Sequence, residues 1–303
     1  MKEIKTENAV GHVLCHDITQ IIKDEKKGVL FKKGHIIKEE DIPLLLSVGK
    51  EHLYVWEKQE GILHENEAAE ILYRICADSH MHGSDIKEGK IELIANCDGL
   101  LKIRRDALVA VNSLGEMMIA SRHGDFPVKK GDRLLGTRVI PLVIAKEKMD
   151  LVKKTAGEKP LVSLAPYKKR KVGIVTTGNE VFYGRIKDTF TPVIIEKMKS
   201  YGAEIHGHIL CNDDMEKITA AIMKLKEEGA DLIVCTGGMS VDPDDKTPGA
   251  IKNTGARIVS YGAPVLPGAM FLLSYLEDGT PVMGLPGCVM YAKATVFDLV
   301  LPR

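Results

Sequence analysis

The residues best suited to chemistry lie in the second half of the chain, in four short stretches that each follow an apolar run. Val172-Gly173-Ile174-Val175-Thr176 leads into Thr177-Gly178-Asn179-Glu180, and the run 204–210 leads into Asn212-Asp213-Asp214. Leu232-Ile233-Val234-Cys235 ends in Thr236-Gly237-Gly238-Met239-Ser240, with Asp242-Pro243-Asp244-Asp245-Lys246-Thr247 just beyond. Pro281-Val282-Met283-Gly284 ends in Leu285-Pro286-Gly287-Cys288. Adjacent glycines let backbone N–H groups approach a phosphate or a flat heterocycle closely. Carboxylates beside such a loop repel phosphate unless a divalent cation such as Mg²⁺ lies between, or else they accept hydrogen bonds from polar donors. Asp213 and Asp214 also fit the cap of a following helix, and Gly237-Gly238 also fits an ordinary turn.

The elements that must position these loops alternate regularly. After the run 172–177, Thr191-Pro192 opens a helix carrying Ile194, Ile195, Met198 and Tyr201 at helical spacing, and Gly202 stops it. A strand over 204–210 follows, then a helix from Asp213 or Asp214 with Ile218, Ile222 and Leu225 facing inward and Gly229 at its end. The continuous apolar strand 231–236 is of the kind buried on both faces, and a final helix is expected from about Met290. Strands alternating with helices of this length predict a three-layer α/β/α domain over 170–303 with a mainly parallel sheet. Ligands of such sheets bind beyond the carboxyl ends of the strands, where all four loops fall.

Residues 1–150 read differently, as a strand-rich α+β region with room for two subdomains. Lys-Lys-Gly repeats bracket Val29-Leu30-Phe31 in a hairpin-like pattern, and a short helix over 39–46 stopped by Gly49 leads into Leu53-Tyr54-Val55-Trp56. A helix is predicted over 65–77, with Ala68, Ala69, Ile71, Leu72 and Ile75 on one broad face; 126–132 and 137–140 resemble a strand-turn-strand. No catalytic constellation stands out here, so scaffold or partner surface is the expectation. The stretch 151–169, rich in Lys, Pro and Gly, is expected to link the halves, and the basic run Lys168-Lys169-Arg170-Lys171 is either solvated or set against an anion.

Composition narrows the function classes. Forty-two basic and 42 acidic side chains give zero formal charge, which argues against a dedicated nucleic-acid binder. No apolar run approaches the ~20 residues that span a bilayer, and the N-terminus lacks a signal peptide's apolar stretch, so a cytoplasmic protein without a membrane partner is expected. The six cysteines have no two-residue spacing and are expected to be reduced. Of the histidine pairs, His80/His82 and His206/His208, the second is expected to form the polar face of its strand rather than a metal site.

On these motifs — Thr177-Gly178-Asn179-Glu180, the Asp213-Asp214 helix start, Thr236-Gly237-Gly238-Met239-Ser240 through Asp245, and Leu285-Pro286-Gly287 — residues 170–303 resemble the molybdopterin-binding domain shared by cytoplasmic molybdenum-cofactor biosynthesis proteins. The first half is loosely similar to the elongated first domains of the molybdenum-inserting enzyme. The resemblance implies that Gly237, Gly238 and Ser240 cradle the phosphate side of the pterin, with Thr177, Gly178, Asn179, Met239, Pro286 and Gly287 completing the binding surface. It implies catalytic roles for Glu180, Asp245 and Asp213 or Asp214, and Mg²⁺ held by Asp242 and Asp245. The implied reaction ligates molybdate to adenylylated molybdopterin with release of AMP. The implied partners are a small-molecule pterin, further copies of the chain in a dimer or trimer, and a molybdoenzyme as recipient.

Several positions depart from the inserting enzymes. Ser240-Val241 is followed by Asp-Pro-Asp-Asp rather than Gly-Asp-x-Asp, and with Thr247 this spacing is closer to the competence-damage branch. Lysines flank a Pro-Gly in the inserting enzymes, where this chain has Leu266-Pro267-Gly268-Ala269; a cation for molybdate would then come from Lys168–Lys171 or from a second subunit. The first half carries no Asp-Gly-Tyr/Phe-Ala segment, and the sequence ends at Arg303, short of the family's C-terminal β-barrel. A non-catalytic molybdopterin carrier or sensor, and a nucleotide-diphosphate hydrolase, are therefore the alternatives.

Overall fold

The computed structural model describes residues 2–22, 26–56, 60–240, 242–243 and 245–303. The chain forms two compact units: one holds residues up to Cys97 with Leu101–Gly124 and Lys129–Leu164, the other Asp98–Leu100, Asp125–Val128 and Ala165–Arg303.

The second unit is built on a six-stranded sheet. Its elements in chain order are β1 (Lys171–Thr177), α1 (Asn179–Phe182), α2 (Phe190–Ser200), β2 (Glu204–Cys211), α3 (Met215–Glu227), β3 (Leu232–Thr236), α4 (Thr247–Asn253), β4 (Arg257–Tyr261), β5 (Leu272–Tyr275), β6 (Pro281–Leu285) and α5 (Val296–Val300). The strand order is β2-β1-β3-β6-β5-β4. The first four run parallel, while β5 and β4 add an antiparallel edge. Two cores sandwich the sheet. Val172, Ile174, Val234 and Met283 pack with Ile194 and Met198 of α2 and Phe297 of α5; Val175, Cys235 and Val282 pack with Ile218, Ile222 and Leu225 of α3 and Ile251 of α4. Burying each large aliphatic side chain here contributes roughly 1.5–3 kcal/mol. This is the expected α/β/α arrangement, and it leaves the strand-end loops exposed at one edge.

Three details of this unit differ from expectation. No helix begins at Met290; a 3₁₀ turn spans Gly287–Met290, and α5 starts only after Thr295, whose hydroxyl and backbone N–H both bond Asp298. The antiparallel edge, β4 and β5, was not foreseen. His206 and His208 do not share a face, because the β1–β2 register shifts between Val172 and Gly173. His206 reaches the carbonyl of Glu228 at the end of α3, whereas His208 bonds Thr176 and Thr191, beside α2. A bulge inserts one residue and reverses the alternation that period-two reading relies on.

The first unit is strand-rich, as expected. Lys2–Lys5, His52–Trp56 and Val13–Leu14 form a three-stranded antiparallel sheet over a core of Leu14, Ile18, Ile37, Leu45, Leu53 and Val55. The helix Ile42–Ser47 continues a 3₁₀ turn at Glu39–Asp41, matching the predicted short helix. Val29–Phe31 belongs to the strand Lys26–Phe31, which pairs back to Ile18–Ile22. Glu65–Cys76 is helical and buries Ala68, Ala69 and Leu72. The expected strand-turn-strand forms as Phe126–Val128, a turn over 129–132 and Arg133–Val139, but its strands do not pair with each other: Arg133–Val139 pairs with Lys90–Ala95 and Met117–Ser121, and Phe126–Val128 falls within the second unit. The stretch 151–169 is largely regular, holding the rest of the helix Lys146–Ala156 and the strand Val162–Pro166. Its helix buries Met149, Val152 and Ala156, a packed stripe that charge-rich composition concealed.

Candidate functional site

The loop after β3 is held from three sides. Gly237 and Gly238 both adopt positive φ, at +89° and +54°. A Cβ on Gly237 would stand 2.2 Å from the carbonyl oxygen of Thr177, so only glycine fits where the β3 loop crosses the end of β1. Thr247, fully buried at the start of α4, clamps the crossing. Its hydroxyl donates to the Gly237 carbonyl at 2.8 Å and its N–H to the Gly238 carbonyl at 3.2 Å. With its one proton so placed, it accepts from the Thr177 hydroxyl 3.1 Å away. Met239 turns back into the core against Gly284, where an added Cβ would come within 2.5 Å of the methionine Cε. On the far side the phenol of Tyr261 in β4 donates to the carbonyls of Met239 and Ser240, at 3.2 and 3.3 Å. Burial and the nearby Asp245 charge push that phenol up, so it remains a donor.

The acidic turn that follows is closed by its own groups. The N–H of Asp242 donates to a carboxylate oxygen of Asp245 at 3.0 Å, and the N–H of Asp245 donates to the carbonyl of Asp242 at 3.0 Å. Lys246 turns its ammonium onto the carbonyl of Pro243. Asp244 lies outside the described residues.

The glycine loop and Asp245 line a cavity of about 420 Å³. Gly237–Ser240 and Asp245 form one wall, Leu266–Met270 another, and Phe190 and Pro286–Cys288 the rest. Its described lining contains one carboxylate and no cationic side chain. Leu266 is 82% exposed and stands at the rim, an apolar surface suited to a flat ring.

The structure therefore brings Gly237, Gly238, Met239, Ser240, Asp245, Pro286 and Gly287 together and leaves the other expected site residues off this wall. Thr177 is buried and clamps the loop rather than lining the cavity. Gly178 precedes α1, and Asn179 and exposed Glu180 are its first two residues. The two adjacent aspartates divide: Asp214 caps α3, accepting from the N–H groups of Glu216 and Lys217, while Asp213 reaches across to the N–H of Asn179 at 2.9 Å. Asp213 thus ties the loops after β1 and β2 together. Asp242 serves the turn through its backbone. Lys168–Lys171 sit at the opposite end of β1, some 20 Å from Thr177 at a strand's rise, and are not placed to supply a cation here. Sequence reasoning missed Phe190, Met270 and Tyr261; the tyrosine sits on an exposed edge strand with no alternation to flag it.

Among the described residues no group of three or more His, Cys, Asp or Glu could hold a metal ion. The acidic turn fits Mg²⁺ in a narrower sense. That ion keeps several waters and commonly takes one or two carboxylates plus substrate phosphates, and Asp245, with one oxygen engaged by the turn, provides such a partial donor set.

Comparison with known proteins bears on both halves. Residues 173–303 match the family described as a probable molybdopterin binding domain, and residues 3–57 match a domain of unknown function. A CinA-like protein of Mycobacterium avium is 38% identical over 77 residues, 25% of this chain and 18% of the relative. A molybdopterin molybdenumtransferase of Synechococcus elongatus is 24% identical over 218 residues, covering 68% of this chain and 51% of its own length. The chain thus spans about half or less of these curated relatives. The solved structure of the molybdopterin biosynthesis enzyme MoaB from Thermus thermophilus is 27% identical and covers 44% of this chain and 90% of its own, with a TM-score of 0.39. No helix among the described residues is long and apolar enough to cross a membrane. Over residues 173–303, the chain is thus similar to a probable molybdopterin binding domain.

Proposed function

We propose that the second unit binds adenylylated molybdopterin in the cavity at the carboxyl ends of β1, β3 and β6, and ligates molybdate to its dithiolene with release of AMP. The observation that carries this is the shared cavity. The Gly237–Ser240 loop, Asp245 and Pro286-Gly287 come from different strand ends and converge on about 420 Å³. Backbone N–H groups of the glycine loop would meet phosphate oxygens, and the apolar rim at Leu266 would cover a face of the pterin. Asp245, with Asp242 beside it, would hold Mg²⁺ against the pyrophosphate. That ion would supply charge neutralisation for the departing AMP. Asp213 and Glu180 would act from the neighbouring loop, Asp213 by fixing Asn179 and Glu180 from the solvent side.

A second reading, carriage of molybdopterin without catalysis, is favoured by the absence of a cation from the cavity's described lining, since an oxyanion needs one or an equivalent donor set. The hydrolase reading is weakened by Thr247. The threonine behind that motif is fully engaged in clamping the loop.

The deciding experiment incubates the full chain with adenylylated molybdopterin, Mg²⁺ and molybdate, with ADP-ribose in a parallel reaction. AMP release that requires molybdate supports ligation. Pterin binding without AMP release selects the carrier, and AMP release from ADP-ribose selects the hydrolase. A dimer or trimer, delivery to a molybdoenzyme and a cytoplasmic location accord with this role.

A further inference from the structure

The opposite end of the same sheet holds a second cavity, of about 550 Å³. It opens where β1, β3 and β6 begin and β5 ends, so it is a whole strand length from the glycine loop. Its floor is core: Leu232, Leu273 and Met283. Its walls carry three tyrosines, Tyr167, Tyr201 and Tyr275, and three cations, Lys168, Arg170 and Arg303. Tyr167 and Tyr201 meet edge to face, with ring centroids 5.3 Å apart. Arg303 is anchored by carbonyls, donating to Leu299 at 2.8 Å and to Asp125 at 3.1 Å. Among the described residues neither Lys168 nor Arg170 has a carboxylate within ion-pair distance. The Tyr167 hydroxyl is shielded from solvent and has no hydrogen-bond partner. A buried hydroxyl in that state costs free energy until an acceptor arrives. The acidic groups near the tyrosines are Asp98, facing Tyr167, and Asp298, facing Tyr201 and already paired with Lys197 at 2.6 Å.

We propose that this cavity is a second ligand site, one that takes a flat heterocycle bearing a phosphate. Aromatic walls over an apolar floor suit a planar ring, and the volume lies within the roughly 300–1,000 Å³ of small-molecule pockets. Lys168 and Arg170 at the mouth suit the phosphate, Arg170 through its planar fork of donors. The Tyr167 hydroxyl points to an acceptor on the ligand. This site shares no lining residue with the cavity at the carboxyl ends, and it stands whether or not that cavity ligates molybdate.

Flavin mononucleotide is the probe, because contact with tyrosine quenches flavin emission. Titrating it with the full chain should give saturable quenching. Riboflavin, lacking the phosphate, should bind at least tenfold more weakly. Lys168→Ala with Arg170→Ala should weaken flavin mononucleotide at least tenfold. Tyr167→Phe, which preserves shape, should weaken it about threefold through one lost hydrogen bond. Phe190→Leu, at the other cavity, should leave the flavin mononucleotide titration unchanged. Absence of saturable quenching would overturn the proposal, as would equal binding by the double variant, equal affinity for riboflavin, or loss of binding in Phe190→Leu.

Discussion

At the carboxyl ends of β1, β3 and β6 the chain arranges two positive-φ glycines, a buried methionine and one carboxylate around about 420 Å³; at the amino ends of the same strands it arranges tyrosines, a lysine and arginines around about 550 Å³. The first end is shaped by backbone. Its loop conformation is fixed by a crossing that tolerates no side chain, by a threonine clamp and by a tyrosine hydroxyl reaching two carbonyls. The second end is shaped by side chains on rigid strands. The contrast shows how one sheet separates two kinds of recognition. An anion at the carboxyl end must be met by peptide dipoles or arrive with its own cation, whereas at the amino end it meets ammonium and guanidinium groups directly.

The contrast breaks most severely at Gly237. Replacing it by alanine forces a Cβ into the Thr177 carbonyl and strains a left-handed residue, a cost of roughly 3 kcal/mol or more. Urea unfolding should show that loss, and pterin affinity should fall with it. Gly202→Ala is the control, since its φ is also positive but nothing stands within 4 Å; its loss should be about 1 kcal/mol. Thr247→Val keeps shape and removes the clamp's hydroxyl, which should cost about 2 kcal/mol in the same measurement. Equal midpoints for the valine variant and the parent would mean that the loop holds without the clamp. Giving the carboxyl end the cations it lacks should sharpen the comparison instead. Leu266→Lys with Ala269→Lys should lower the molybdate concentration for half-maximal AMP release roughly tenfold. An unchanged value would mean that this wall does not face the oxyanion.

A pH-dependent effect belongs to the amino end. Burial holds the Tyr167 phenol up at about 12, above its ordinary value of 10.0. A proton acid raised on folding stabilises the native state fully below its unfolded pKa and loses that contribution as pH rises through the folded value. Stability should therefore decline between about pH 10 and 12, and less so in Tyr167→Phe. Urea midpoints across that range check it.

Much of the second unit is legible in the sequence because its central strands are continuous apolar runs closed by glycine, and its helices carry inward residues at helical spacing. β4 is invisible to the same reasoning. Arg257–Tyr261 is an edge strand exposed along its whole length, so no burial pattern marks it. The bulge in β2 defeats the histidine pairing for a related reason: one inserted residue leaves composition intact and inverts direction. The glycine loop, Asp245 and Pro286-Gly287 are legible as site residues because strand ends converge by topology. The roles of Asp213 and Asp214 are not, since only the fold shows that one carboxylate turns onto its own helix and the other across to Asn179. The wall at Leu266–Met270 depends on a loop between antiparallel strands that the sequence pattern does not announce.

The central claim is that Asp245 works on a ligand in the carboxyl-end cavity and is more than the closing residue of its turn. Molybdate- and Mg²⁺-dependent AMP release from adenylylated molybdopterin, measured in the full chain and in Asp245→Asn, tests it directly. The asparagine retains an oxygen to accept the Asp242 N–H and so retains the turn, but it lacks the charge. The account predicts at least a hundredfold loss of turnover, about 2.7 kcal/mol at the barrier, with unfolding unchanged. Equal turnover in the two proteins would contradict it.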